Sequence, residues 1–263
     1  MTGGGPFDLE PGQWTDDTAM ALALADSLIS CSGFDPHDLA ARFVSWWEHG
    51  AYSCTGTCFD IGITSREALA RFIRTGGPYA GAMDPRSAGN GSLMRLAPVA
   101  LFALFDADQA DQLARHQSQV THTALQAVES CAYFVHFLRD AILGRSDVLR
   151  PRTWAGDPAI AAIAAGYWRQ RSRDQIRSSG FVIDRLEAAL WAVGTTISFE
   201  DALIEAVDLA KDVDTVGAVT GQLAGALYGA SAIPERWLHP LAWQREISEA
   251  ADRLLINPRR GSS

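Results

Sequence analysis

Basic residues are scarce in this 263-residue chain: 22 Lys and Arg stand against 31 Asp and Glu, a net charge of −9. That balance argues against nucleic acid as the main partner and suits the binding of cations. Cysteine is scarcer still. The four thiols, Cys31, Cys54, Cys58 and Cys131, are too few and too irregularly spaced to frame a chain of this length with disulfides. Cys54-x-x-x-Cys58 with the nearby His49 lacks the second ligand pair that a zinc site needs. Met1 to Pro11 has neither the basic nor the apolar region of a signal peptide, so the expectation is a reduced, cytoplasmic protein. Period-two alternation is nearly absent, which argues against a sheet-built fold. No run is apolar enough for a bilayer either: in the glycine-rich segment near the C-terminal end, Asp214, Thr215, Thr220 and Gln222 interrupt it.

What is present is helical periodicity. An apolar fraction of 48% with 20% charged residues is that of a globular chain, here read as a single domain over 1–263. Thr15 reads as an N-cap, with Asp16 and Asp17 at the positive end of the helix dipole and Met20, Leu24 and Leu28 along one line. Asp35-Pro36 opens a second helix that runs to Gly50. Residues 51–63 read as an ordered loop, about 64–74 as a short helix, and 75–90 as a Gly- and Pro-rich loop. Gly91 to Phe105 is helical in pattern, and Thr123 to Leu143 is the clearest long helix. Arg145 to Arg152 reads as a basic, solvated connection. Further helices are expected over roughly 157–171, 182–194, 199–210, 215–229 and 241–255. The fold class is therefore all-α, a bundle of about ten helices.

Two stretches carry oxygen ligands. Thr15-Asp16-Asp17-Thr18 and Asp212-Val213-Asp214-Thr215 each set carboxylates and hydroxyls at the start of a helix rich in small residues. Helix capping accounts for either stretch alone. Together they are a repeated design, and four carboxylates brought to one place repel unless cations lie between them. An oxygen-only set selects hard ions, Mg²⁺ or Mn²⁺; a pair of these activates water and holds vicinal hydroxyls or phosphate oxygens. After the second stretch, Gly217, Gly221, Gly225 and Gly229 share one helical face, which predicts close approach by another helix or a ligand. Ser87 to Arg95 reads as a Gly-rich turn opening a helix, either a plain capped loop or an anion cradle. Thr121-His122-Thr123 enters the long helix, where a lone His is commonly a structural donor.

Taken in order, Thr15-Asp16-Asp17-Thr18, Cys58-Phe59-Asp60-Ile61-Gly62, Ser87 to Pro98, Thr121-His122, Gly180 to Trp191 and Asp212 to Gly229 resemble the ADP-ribosylglycohydrolases. The resemblance is to their bacterial branch, which includes the dinitrogenase reductase-activating glycohydrolase. It implies an all-α fold with a binuclear Mg²⁺ or Mn²⁺ cleft, and removal of ADP-ribose from a protein side chain, foremost arginine. It implies Thr15, Asp16, Asp17, Asp212, Asp214 and Thr215 as metal ligands, with Asp214 bridging both ions. Gly89, Asn90, Gly91, Ser92 and His122 would line the phosphate and ribose region, and Asp60 would lie near the scissile bond. Asp16, Asp17, Asp60 and Asp214 are thus the expected catalytic carboxylates. The chain departs from the family's pattern at Ile63, Asp208, Ala210 and Lys211, and the family's N-terminal helical segment has no counterpart ahead of Gly3. An open apolar face and a homodimer are expected from that difference. A catalytically weak ADP-ribose binder, or a hydrolase of another ADP-ribosyl linkage, are the alternative readings. The expected partner is an ADP-ribosylated protein or small molecule, with no membrane.

Overall fold

The structure, a computed structural model, describes residues 3–177, 179–209 and 213–256. Among them are twelve α-helices and no strands; the only sheet-like pairs are three isolated bridges. The helices are α1 (Asp16–Ser30), α2 (Pro36–His49), α3 (Ile63–Thr75), α4 (Ala97–Phe102), α5 (Ala107–Gln119) and α6 (Leu125–Ile142). They continue as α7 (Pro158–Ala164), α8 (Val182–Thr195), α9 (Phe199–Val207), α10 (Val213–Tyr228), α11 (Glu235–Leu238) and α12 (Gln244–Leu255). No helix of the described residues is long and apolar enough to cross a membrane.

Helix boundaries follow local chemistry. Asp35 accepts from the backbone N–H of His37 and Asp38 to start α2, and Gly50, at φ 70°, closes it in the left-handed region that glycine tolerates. The core centres on α6, whose Tyr133, Phe134, Phe137 and Leu138 are buried, with α5, α8 and α10 packed around it. α1 lies against α2, α4, α10 and α12, so the two carboxylate-bearing helices, α1 and α10, are neighbours.

Three expectations need correction. Gly91 to Leu96 is a series of tight turns, with Leu93 and Met94 donating to the Asn90 carbonyl; helix begins only at Ala97 and lasts six residues. Gly91 is needed there for close approach, since a Cβ would lie 2.8 Å from the His122 ring. The connection after α6 is anchored, not merely solvated: Arg145 and Arg152 both pair with Asp140, and the Arg152 guanidinium lies 4.4 Å from the Phe137 ring centre. Lastly, α5 has no counterpart in the pattern of apolar residues. Its inward face is Ala110, Leu113, Ala114, Gln117 and Ser118, too polar to register as a hydrophobic stripe.

The glycine face of α10 does turn toward another helix. Gly217, Gly221 and Gly225 face Val207, Leu203 and Phe199 of α9, respectively. The approach is not close enough to require glycine, because added Cβ atoms would sit 3.5, 3.8 and 4.0 Å from those side chains, ordinary contact distances. Gly221→Ala is therefore expected to stabilise the fold by about 0.5–1 kcal/mol, through helix propensity alone. Urea unfolding checks this; a lowered midpoint would mean that α9 and α10 sit closer than described. Beyond α9 the apolar surface stays open, as a groove of about 420 Å³ between α9 and α11 lined by Leu203, Ile204, Trp237 and Leu241.

Candidate active site

α1 and α10 bring together three carboxylates. Oxygens of Asp16, Asp17 and Asp214 lie within 4.8 Å of one another, and both Asp16 and Asp17 are more than nine-tenths buried. Thr15 sits at the N-cap of α1 in extended geometry, but its hydroxyl does not cap a backbone N–H. It is placed to donate to Asp17 Oδ2 at 2.9 Å and to Asp214 Oδ2 at 3.0 Å, one hydrogen between two acceptors. Thr15 and Asp214 are thereby joined across 199 positions of sequence. Asp214 is exposed, but like charges at this spacing, two of them buried, are costly unless a cation or protons offset them. The donors are hard oxygens, so the cluster fits a hard divalent cation in chemistry and in span. Thr215 is buried beside it and lines the adjoining cavity, whereas Asp212, like Ala210 and Lys211, lies outside the described residues.

Two cavities meet at this cluster. The first, about 430 Å³, is lined by Asp16 and Thr215 at one end and by Gly89, Asn90, Gly91, Met94 and His122 along its wall. The first turn of α3, Gly62 to Ser65, closes another side. That turn supplies what the sequence pattern assigned to Gly91: a helix of 13 residues with its N-terminus at the cavity, presenting N–H groups and the positive end of its dipole to an anion. Ser92 does not reach this cavity. It is fully buried, its hydroxyl 2.8 Å from Ser118 Oγ and 3.4 Å from the Cys131 thiol. The second cavity, about 630 Å³, lies between the loop Gly4 to Leu9 and the side chains of Val207, Val213 and Asp214. Asp60 lines both cavities, exposed and held at φ 55°, a left-handed conformation that costs a non-glycine residue energy and aims its side chain from a tight bend.

Burial tunes the neighbouring groups. The Cys58 thiol is pushed up to about 11 by burial and by the negative field of Asp16, which keeps it protonated and inert. His122 is lowered to about 3 by burial and by the Arg95 charge, so it stays neutral. An unfolded chain takes up this proton below about pH 6.5, while the folded protein refuses it until about pH 3. Protons thus favour the unfolded state over that window, and His122 costs the fold stability as pH falls through it. The slope approaches 1.4 kcal/mol per pH unit, roughly the value for one proton. Urea titrations at pH 6 and 4 should show it in the unaltered chain and a shallower dependence in His122→Gln.

The residues that periodicity did not disclose are Thr64, Ser65, Met94 and Gly180, all in the wall of the first cavity. Met94 and Gly180 lie within the stretches that carry the resemblance, whereas Thr64 and Ser65 join the wall only in three dimensions: α3 meets the glycine turn, and Val182 donates to the Ala88 carbonyl to draw 180–182 alongside.

Comparison with known proteins gives the fold and the family. A family model described as ADP-ribosylglycohydrolase matches residues 1–262. ADP-ribosylarginine hydrolase Tri1 of Pseudomonas putida is 46% identical over 256 residues, which cover 97% of this chain and 69% of that protein. The ADP-ribosyl-[dinitrogen reductase] glycohydrolase of Rhodospirillum rubrum is 32% identical, over 97% of this chain and 83% of the relative. A solved structure described as an ADP-ribosylglycohydrolase-related protein complex superposes with a TM-score of 0.84 at 39% identity, covering 98% of this chain and 86% of that one. The chain belongs to the ADP-ribosylglycohydrolase family.

Proposed function

We propose that this enzyme hydrolyses the N-glycosidic bond of ADP-ribosyl-arginine in a modified protein. The observation that carries the reading is a pair of cavities that share Asp60 and reach the carboxylate cluster, one at Asp16 and the other at Asp214. Relatives at 46% and 43% identity carry the name ADP-ribosylarginine hydrolase, which supports arginine as the linkage. In this reading the pyrophosphate lies against the first turn of α3 and His122, and the distal ribose turns its hydroxyls toward the carboxylates. The second cavity takes the arginine stem against Phe7, Leu9 and Val207, so that the scissile bond falls near Asp60.

Thr15, Asp16, Asp17, Asp214 and Thr215 would hold two Mg²⁺ or Mn²⁺ ions, with Asp212 as a further proposed ligand. When bound, such ions supply a water of lowered pKa and a hold on vicinal hydroxyls. The protein's own carboxylates then manage protons: one takes the proton of the attacking water, while positive charge develops at the anomeric carbon and the guanidine leaves. The α3 N-terminus and the Gly89–Gly91 turn position the anion, and the cavity walls exclude competing water. The four free thiols suit a reducing compartment, and the cytoplasm is the proposed location.

The test is incubation of the protein with ADP-ribosyl-arginine and Mg²⁺, with and without chelator, reading released ADP-ribose by chromatography. Release that stops with chelator is expected. Binding of ADP-ribose by calorimetry without any release would instead make the chain a binder.

A further inference from the structure

Arg95 is a fully buried cation, next in sequence to Met94 of the first cavity's wall. Its Nε donates to Gln117 Oε1 at 2.9 Å, and its Nη2 donates to the Gln117 carbonyl at 2.8 Å and to Thr121 Oγ1 at 2.9 Å. Phe43 covers the guanidinium, with its ring centre 4.5 Å away. Thr121 Oγ1 lies in turn 2.8 Å from His122 Nδ1. Thr121 and His122 are both buried, and Gly89 and Gly91 leave the imidazole room: a Cβ on either would lie 3.2–3.3 Å from Nε2.

The direction of this chain of hydrogen bonds follows from donor arithmetic. Arginine only donates, so Thr121 Oγ1 accepts from it. The oxygen has a second acceptor site, but an Nδ1–H that donated to it would leave the buried hydroxyl hydrogen with no acceptor among the described contacts; with His122 Nδ1 as acceptor, at 2.8 Å, that hydrogen is satisfied. A nitrogen that accepts carries no hydrogen, and in a neutral imidazole the hydrogen must then sit on Nε2, the atom that faces the glycine turn and the cavity.

The geometry points to Arg95 and Thr121 as positioning residues: they fix His122 in the neutral, Nε2-protonated tautomer and aim one N–H donor at an oxygen acceptor of the bound ligand. This rests on the proposed reading that the cavity takes ADP-ribose, whose phosphate and ribose oxygens are all acceptors for such a donor. A fixed tautomer spares the ligand the cost of selecting between two forms on binding, which is a gain in preorganisation. Buried Gln117 completes the arrangement, since its Nε2 donates to the Ser92 carbonyl at 3.0 Å while its Oε1 holds Arg95.

The test is long-range ¹⁵N–¹H correlation on ¹⁵N-labelled protein, with His122 assigned from the spectrum of His122→Gln, together with calorimetric binding of ADP-ribose. Unaltered protein is expected to show an unprotonated Nδ1 and a protonated Nε2. Thr121→Val is expected to lose this single-tautomer signature and raise the Kd for ADP-ribose about tenfold, the scale of one hydrogen bond. Thr121→Ser keeps the hydroxyl and should restore both. An Nδ1-protonated imidazole in the unaltered protein overturns the inference, whatever the variants do. So does a Thr121→Val protein that binds ADP-ribose as tightly as the unaltered chain. If the unaltered protein binds no ADP-ribose, the reading of the cavity fails, while the imidazole spectrum still decides the relay by itself.

Discussion

Asp214→Asn is expected to lower release of ADP-ribose by about a thousandfold, the scale seen when one preorganised electrostatic group is removed. Asp214 stands at the start of α10 and meets Asp16 and Asp17 of α1 within 4.8 Å, so its charge is a third of the described cluster. Asparagine keeps the shape and can still accept from the Thr15 hydroxyl, but it cannot supply that charge. The helical circular dichroism spectrum should be unchanged, and ADP-ribose affinity should fall less than turnover. Asp208→Asn is the matched control. Asp208 caps the end of α9, where its backbone carbonyl accepts from Arg173, and it is absent from the lining of both cavities. It should retain most of the activity. Equal behaviour of the two variants, in either direction, would remove Asp214 from its proposed place.

Metal-free protein should gain thermal stability from Mg²⁺ or Mn²⁺ and lose it again to chelator. A ligand that binds only the folded state adds about 2.7 kcal/mol at a hundredfold excess over its Kd. For a chain of this size that is a rise in Tm of roughly 5–11 °C. The effect should be large because the ions would relieve repulsion among three clustered carboxylates, two of them buried, as well as form new bonds. Asp214→Asn should shrink the shift. A Tm that ignores both cation and chelator would mean that the three carboxylates are held together by protons or protein contacts alone.

Four helices are legible in the sequence itself. α1, α2, α6 and α8 fall within a residue or two of their expected limits, because periodicity, Asp35-Pro36 and terminal glycines mark them. α5 escapes because Leu113 is the one large apolar residue on an inner face otherwise made of alanine, glutamine and serine. Apolar Leu93, Met94 and Leu96 give the stretch after Gly91 a helical pattern, yet its backbone closes tight turns, Leu93 and Met94 on Asn90 and Leu96 on Leu93, and Arg95 is anchored to Gln117. The acidic pair of helix starts is legible in the sequence as a repeated design, and the fold brings Asp16, Asp17 and Asp214 together. The α3 N-terminus at the cavity was not visible, since Gly62 to Ser65 resembles any helix entry until the fold sets it opposite Gly89 and Gly91.

The contact between Thr15 and Asp214 has a consequence for how the chain comes to be active. The cluster is closed by residues from near the beginning and near the far end of the chain, so a nascent polypeptide holds only half of it until α10 has emerged and packed. Contacts of such long sequence separation form late, after the loop between them has paid its closure entropy. Partly folded species should therefore have no metal affinity of their own. Catalytic competence would switch on with the last cooperative step, and retention of the cation would report completed folding, a built-in test of the finished molecule.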